Sequence, residues 1–123
     1  MRLLVCGTRM KKPNYKDIVW HELSEKLLED NLQIIEGCCK ESADQYTEEW
    51  ATYVIKELGR PHKFLEIAHF PSNPGNYLKR NIEMVELCDE VLAFWDGFSY
   101  GTAHVIANAI MRNKPVKVIK LER

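Results

Sequence analysis

Five short apolar runs alternate along the chain with four segments whose apolar residues recur at helical spacing. This alternation constrains the fold more than any other feature. A brief run of apolar residues bounded by turn formers suits a strand buried on both faces, and such strands belong to parallel sheets covered by crossover helices. The runs are RLLVC (2–6), LQIIEG (32–37), KFLEIAHF (63–70), EVLAFW (90–95) and PVKVIKL (115–121). The last is the most amphipathic and suits a sheet edge.

Between the runs, Val19, Trp20, Leu23 and Leu27 predict a first helix. Ala43, Tyr46, Thr47, Trp50, Ala51, Val54 and Leu58 predict a second that stops at Gly59. Leu78, Ile82 and Val85 mark the core face of a third, and a fourth is expected over 102–113. With right-handed crossovers this is an α/β fold, a single Rossmann-like domain over residues 1–123. A chain of 123 residues, 46% hydrophobic, holds one such core but not two. The expected architecture is a mostly parallel five-stranded sheet of order 3-2-1-4-5 with helices on both faces. Its topological switch lies between the first and fourth strands, and ligands bind beyond their carboxyl ends.

Two loops of unusual composition converge on that crevice. Gly7, Thr8 and Arg9 follow the first strand; Asp96, Gly97, Ser99, Gly101 and Thr102 follow the fourth. A helix N-terminus presents unpaired N–H groups and a positive dipole end to an anion, Gly101 permits close approach, and the Thr102 hydroxyl adds a donor. The plain alternative is that Ser99 or Thr102 merely caps the helix. Arg9 offers a guanidinium to a phosphate or carboxylate. Arg80 lies between core positions of the third helix, beside Asn81. Asp96 suits a ribose hydroxyl, a catalytic water or an Asx-turn within its own loop; with Glu83 it is a weak catalytic candidate. Asp44, early in the second helix, suits a cap or dipole partner.

Charge and motifs exclude several classes. With 17 basic and 18 acidic residues and a net charge of -1, the surface is not built mainly to neutralise a duplex. The N-terminal apolar run reaches Gly7 and Arg9 too soon for a signal core or a membrane span, so a cytoplasmic protein is expected. Cys6 and Cys88 have apolar surroundings and Cys38 adjoins Cys39, a pattern of neither a zinc site nor a disulfide framework. His21, His62, His69 and His104 lack metal-ligand spacing, although His104 stands close to Thr102. Walker phosphate-loop, dinucleotide-fingerprint, nucleophile-elbow and zincin motifs are all absent from the sequence. No metal or cofactor is expected.

The segments GTR (7–9), EGCCKESAD (36–44), KRN (79–81) and FWDGFSYGTAH (94–104), taken in order, resemble the SLOG superfamily. This Rossmann-like group includes DprA-like, LOG-like and YspA/YpsA-related proteins, and the similarity is closest to the small YspA-like members. The resemblance implies a nucleotide or nucleotide-derived ligand at the carboxyl edge of the sheet. Its contacts would be Gly7, Thr8, Arg9, Gly37, Arg80, Asn81, Gly101 and Thr102. LOG-like members are phosphoribohydrolases whose loop carries a catalytic glutamate; here Val105 stands in its place, and a valine cannot transfer a proton or stabilise an oxocarbenium-like centre.

Binding or sensing of a nucleotide derivative therefore ranks first. N-glycosidic hydrolysis of a nucleoside phosphate is second, and single-stranded nucleic-acid binding of the DprA kind is third. Self-association as a homodimer or higher oligomer is expected from the apolar surface of Trp20, Trp50, Tyr53 and Phe98.

Overall fold

A computed structural model describes residues 1–26, 32–37, 41–57, 65–69 and 77–122, with backbone only for 65–69. The elements run β1 (Arg2–Gly7), α1 (Tyr15–Glu25), β2 (Leu32–Glu36), α2 (Ala43–Glu57), β3 (Leu65–His69), α3 (Tyr77–Leu87), β4 (Glu90–Trp95), α4 (Tyr100–Met111) and β5 (Val116–Lys120). All strand pairs are parallel. The strands with described side chains stand side by side as β2, β1, β4 and β5; β3 pairs outside β2, giving the order β3-β2-β1-β4-β5.

The unbroken apolar strands are explained by two cores, one on each face of the sheet. Successive side chains of a strand point to opposite faces. In β1, Leu3 and Val5 join Val19, Leu23, Ile34, Trp50 and Phe94 under α1 and α2. Leu4 and Cys6 join Ile35, Met84, Val85, Ala93, Val105 and Ala109 under α3 and α4. Each fully buried Leu, Val or Phe side chain contributes roughly 1.5–3 kcal/mol relative to exposure. β5 departs from this pattern, with Lys117, Val118 and Lys120 on the outside, as its edge position allows.

Some element details differ from the sequence expectation. α4 begins at Tyr100 with Ser99 as its N-cap, so Gly101 and Thr102 lie in its first turn. α3 buries Asn81, Met84 and Val85, while Leu78 and Ile82 are only half-buried. The helix is rotated because it packs against α4 as well as the sheet. Trp50 is 1% exposed and fills the core, and Trp20 is half-buried, its indole N–H donating to the Tyr46 carbonyl oxygen at 3.1 Å. Neither tryptophan supplies a large free apolar surface. Leu27, Cys38, Cys39, Leu58, Gly59 and His62 lie outside the described residues. Among those described, no helix is long and apolar enough to cross a membrane.

Candidate functional site

A cleft of about 300 Å³ opens at the carboxyl ends of β1 and β4, where the chain leaves β1 for α1 and β4 for α4. This is the crevice of an open α/β sheet, in which neighbouring strands send their connections to opposite faces. Its floor is apolar, formed by Val5, Cys6, Met84 and Val105. Polar groups enter from three sides.

The first side is the start of α4. Ser99, Gly101 and Thr102 line the cleft, and Ser99 makes no side-chain cap bond to the helix. Thr102 is buried, and its hydroxyl meets the Ser99 hydroxyl at a long 3.4 Å. A β-carbon on Gly101 would meet nothing within 4 Å, so the backbone of this turn is open to close approach. The dipole and the early N–H groups of a twelve-residue helix thus border the cleft.

The second side is α3. Arg80 lays its guanidinium across the turn after β2, donating from Nη1 to the Gly37 carbonyl oxygen at 2.9 Å. A β-carbon on Gly37 would run into Arg80 Nη1, come within 2.9 Å of Cζ and lie 3.3 Å from Asp44 Oδ2, so a larger residue would push the guanidinium out of this position. Asn81, one residue on, is 3% exposed; its amide nitrogen stands 3.4 Å from both the Gly101 carbonyl oxygen and His104 Nδ1. It joins α3 to the first turn of α4.

The third side comes from β1 and α2. Gly7 and the exposed Arg9 line the cleft, as does Asp44, which is 5% exposed. Behind them, Tyr15 holds the two loops together. Its hydroxyl donates to the Thr8 carbonyl oxygen at 2.7 Å and accepts from Ala43 N–H at 3.1 Å. Burial pushes this phenol well above its ordinary range, so it stays protonated.

Eight of the residues expected at the site line this one cleft: Gly7, Arg9, Gly37, Arg80, Asn81, Ser99, Gly101 and Thr102. Four do not. Asp96 is turned back into its own loop, where Oδ1 accepts from Phe98 N–H at 2.9 Å, Ser99 N–H at 2.8 Å and the Thr8 hydroxyl at 3.2 Å. This is the Asx-turn alternative, and it spends the carboxylate on holding the loop. Thr8 is buried as its partner, also accepting from Asp96 N–H at 3.2 Å. Gly97 is exposed at φ +88°, a left-handed conformation that allows this turn. Glu83 is exposed on α3 and does not line the cleft.

Asp44 holds the expected dipole position in the first turn of α2. Ser42 takes the capping role, its hydroxyl accepting from Asp44 N–H at 3.2 Å, and Asp44 becomes a cleft carboxylate. Its sequence signal was its place just after a sheet strand's carboxyl end. Tyr77, half-exposed at the rim, was also missed. No group of three or more His, Cys, Asp or Glu suited to a metal ion occurs among the described residues. No protein-family model, no curated protein and no solved structure matches the chain.

Proposed function

We propose that this cleft binds a nucleotide or nucleotide-derived ligand, with a phosphate against the first turn of α4 and an apolar portion over Val5, Met84 and Val105. One observation carries the reading: the open turn at Gly101 and Thr102 faces the same cleft as the Arg80 guanidinium. A helix N-terminus and an arginine fork are both suited to a phosphate. The strand order β3-β2-β1-β4-β5, with its switch between β1 and β4, supports the reading because Rossmann-like sheets hold ligands at that point. So does the resemblance to the SLOG superfamily, since residues from each of its segments border one cleft.

Binding or sensing is favoured over hydrolysis by the chemistry available. Asp96 is engaged in its loop, Glu83 lies off the cleft, and position 105 is a buried valine. Asp44 is the only carboxylate lining the cleft among the described residues, and it stands beside the guanidinium of Arg80. A carboxylate that close to a guanidinium suits orientation of the cation more than proton transfer at a leaving group.

The test is a thermal-shift and calorimetry series with nucleoside mono-, di- and triphosphates and ADP-ribose. It is run on the wild type, Arg80→Gln and Thr102→Val. A ligand at a hundred times its dissociation constant adds ~2.7 kcal/mol of stability. For a chain of this size that raises the melting midpoint by roughly 8 to 13 °C. Both variants should reduce the rise. The absence of a shift with every compound sinks the proposal.

A further inference from the structure

β5 is the last strand of the sheet and pairs only with β4. The Pro115 carbonyl oxygen accepts from Val91 N–H at 2.9 Å, and Leu121 N–H donates to the Trp95 carbonyl oxygen at 2.8 Å. Backbone direction alternates along a strand, so the groups of Lys117 and Ile119 face β4 as well, and those of Val116, Val118 and Lys120 face outward. Among the described residues nothing bonds to these outward N–H and C=O groups. A row of this kind is a template for a further strand.

A second cavity, of about 370 Å³, lies beside this edge, between α1 and the amino ends of β4 and β5. The cleft described above is at the carboxyl ends, so the two are separate. Leu3 and Leu92 form a buried floor. Three carboxylates and two ammonium groups stand around it. Lys117 is bridged to Glu22 at 2.8 Å, and Lys26 to Glu90. Glu25 has no lysine or arginine bridged to it; it meets the His21 ring at 3.8 Å, which carries a charge only when protonated. Glu25 also closes α1, so the negative end of the helix dipole falls at the same place. An apolar floor is thus joined to an excess of negative charge.

We propose that β5 accepts an extended peptide from a partner protein as a further strand, and that an arginine of this peptide enters the cavity beside α1. The two faces of β5 set the pattern. Val116 packs in the core beneath α4, so Val118, 44% exposed, lies on that side, while Lys117 and Ile119 lie on the α1 side. The added strand therefore places an apolar residue beside Val118 and, next to it in sequence, the arginine toward α1. Its aliphatic stem covers Leu3 and Leu92, and its guanidinium takes Glu25. Lysines on an edge commonly guard it against pairing, but Lys117 is folded down onto Glu22. For the same reason the β5 of a second copy does not fill the cavity: its basic residue on that side is already held by its own helix. A nucleic-acid backbone is excluded by charge at Glu25 and has no donors for the outward carbonyl groups.

Fluorescence anisotropy with a labelled, end-capped peptide of alternating valine and arginine tests the proposal on the full chain at physiological salt. Saturable binding is expected. A peptide of the same composition with its arginines clustered at one end, and one alternating valine with glutamate, should each bind about tenfold more weakly or worse. Val118→Pro removes one outward N–H and leaves the β4 ladder intact, so it should weaken binding by about three- to tenfold. Glu25→Gln should weaken it by about two- to fivefold. Hydrogen exchange of the unmodified chain is the parallel measurement if the proline variant misfolds: the alternating peptide should slow the Val118 and Lys120 amides. Absence of saturable binding overturns the proposal, as does a clustered peptide that binds equally well or a bound peptide that leaves both amides exchanging as before. Protection of the same amides by a thymidine oligonucleotide, or by raised protein concentration without peptide, overturns it in favour of nucleic acid or a second copy.

Discussion

The Tyr15 hydroxyl reaches the carbonyl oxygen of Thr8 at 2.7 Å while accepting the N–H of Ala43. One buried phenol thus fixes the loop after β1 against the start of α2, and with it the wall that presents Gly7 and Asp44 to the cleft. Tyr15→Phe keeps the ring and strands both backbone groups. An unsatisfied buried group costs about 1–3 kcal/mol. The expected result is a melting midpoint lower by roughly 3 to 12 °C, read by circular dichroism.

The same hydroxyl makes stability pH-dependent at the alkaline end. Its pKa is raised in the folded chain, chiefly by burial. The folded state therefore retains a proton that the unfolded state releases above the ordinary phenol value of ~10. This contribution is fully present below that pH and is lost as pH rises beyond it, by roughly 1.4 kcal/mol per pH unit. Urea denaturation between pH 8 and 11 should show a steeper fall in the wild type than in Tyr15→Phe. Parallel curves above pH 10 refute the assignment.

Two cleft glycines predict opposite outcomes for the same substitution. At Gly7, a β-carbon would come within 2.5 Å of the Tyr15 hydroxyl, 2.8 Å of Ala43 Cβ and 3.1 Å of the Phe94 carbonyl oxygen. Gly7→Ala should cost about 1–3 kcal/mol, the range for overpacking a tight core. At Gly101 the space is open and the residue is helical, so Gly101→Ala should be neutral or stabilising by up to about 1 kcal/mol. Yet the added methyl occupies the approach to the first turn of α4. Nucleotide affinity measured by calorimetry should fall by about tenfold or more, the equivalent of ~1.4 kcal/mol. Retained affinity in a stable Gly101→Ala protein would mean that the phosphate does not approach this turn.

The parallel α/β class was legible because strands buried on two faces must be apolar at every buried position, as β1 is from Leu3 to Cys6 and β4 from Val91 to Phe94. The cleft was legible through Gly7, Arg9, Arg80 and Gly101, because loops at the carboxyl ends of neighbouring parallel strands meet regardless of their separation in the chain. What stayed hidden was side-chain direction. An acid after a buried strand looks the same whether it faces a ligand or, like Asp96, folds back onto two backbone N–H groups. Asp44 shows the converse: its neighbour Ser42 supplies the cap, which leaves the carboxylate to the cleft. The rotation of α3 depends on its contact with α4, and apolar spacing within one helix carries no record of a neighbour.

Asp96 separates loop-building from chemistry. If its carboxylate only organises the turn, Asp96→Asn should be mild, since an amide oxygen at the same position still accepts from Phe98 N–H, Ser99 N–H and the Thr8 hydroxyl. Hydrogen bonds to a charged acceptor contribute about 1.5–3 kcal/mol and neutral ones about 0.5–1.5, so a loss of roughly 1–3 kcal/mol is expected. Asp96→Ala removes all three acceptances and should cost more, with the first turn of α4 losing its fixed position. Ligand affinity should then track the loop: nearly intact in the asparagine variant, reduced severalfold in the alanine variant. A catalytic carboxylate predicts another ordering, in which both variants abolish turnover equally while the asparagine protein remains as stable as the wild type. Urea denaturation alongside product assay distinguishes the two.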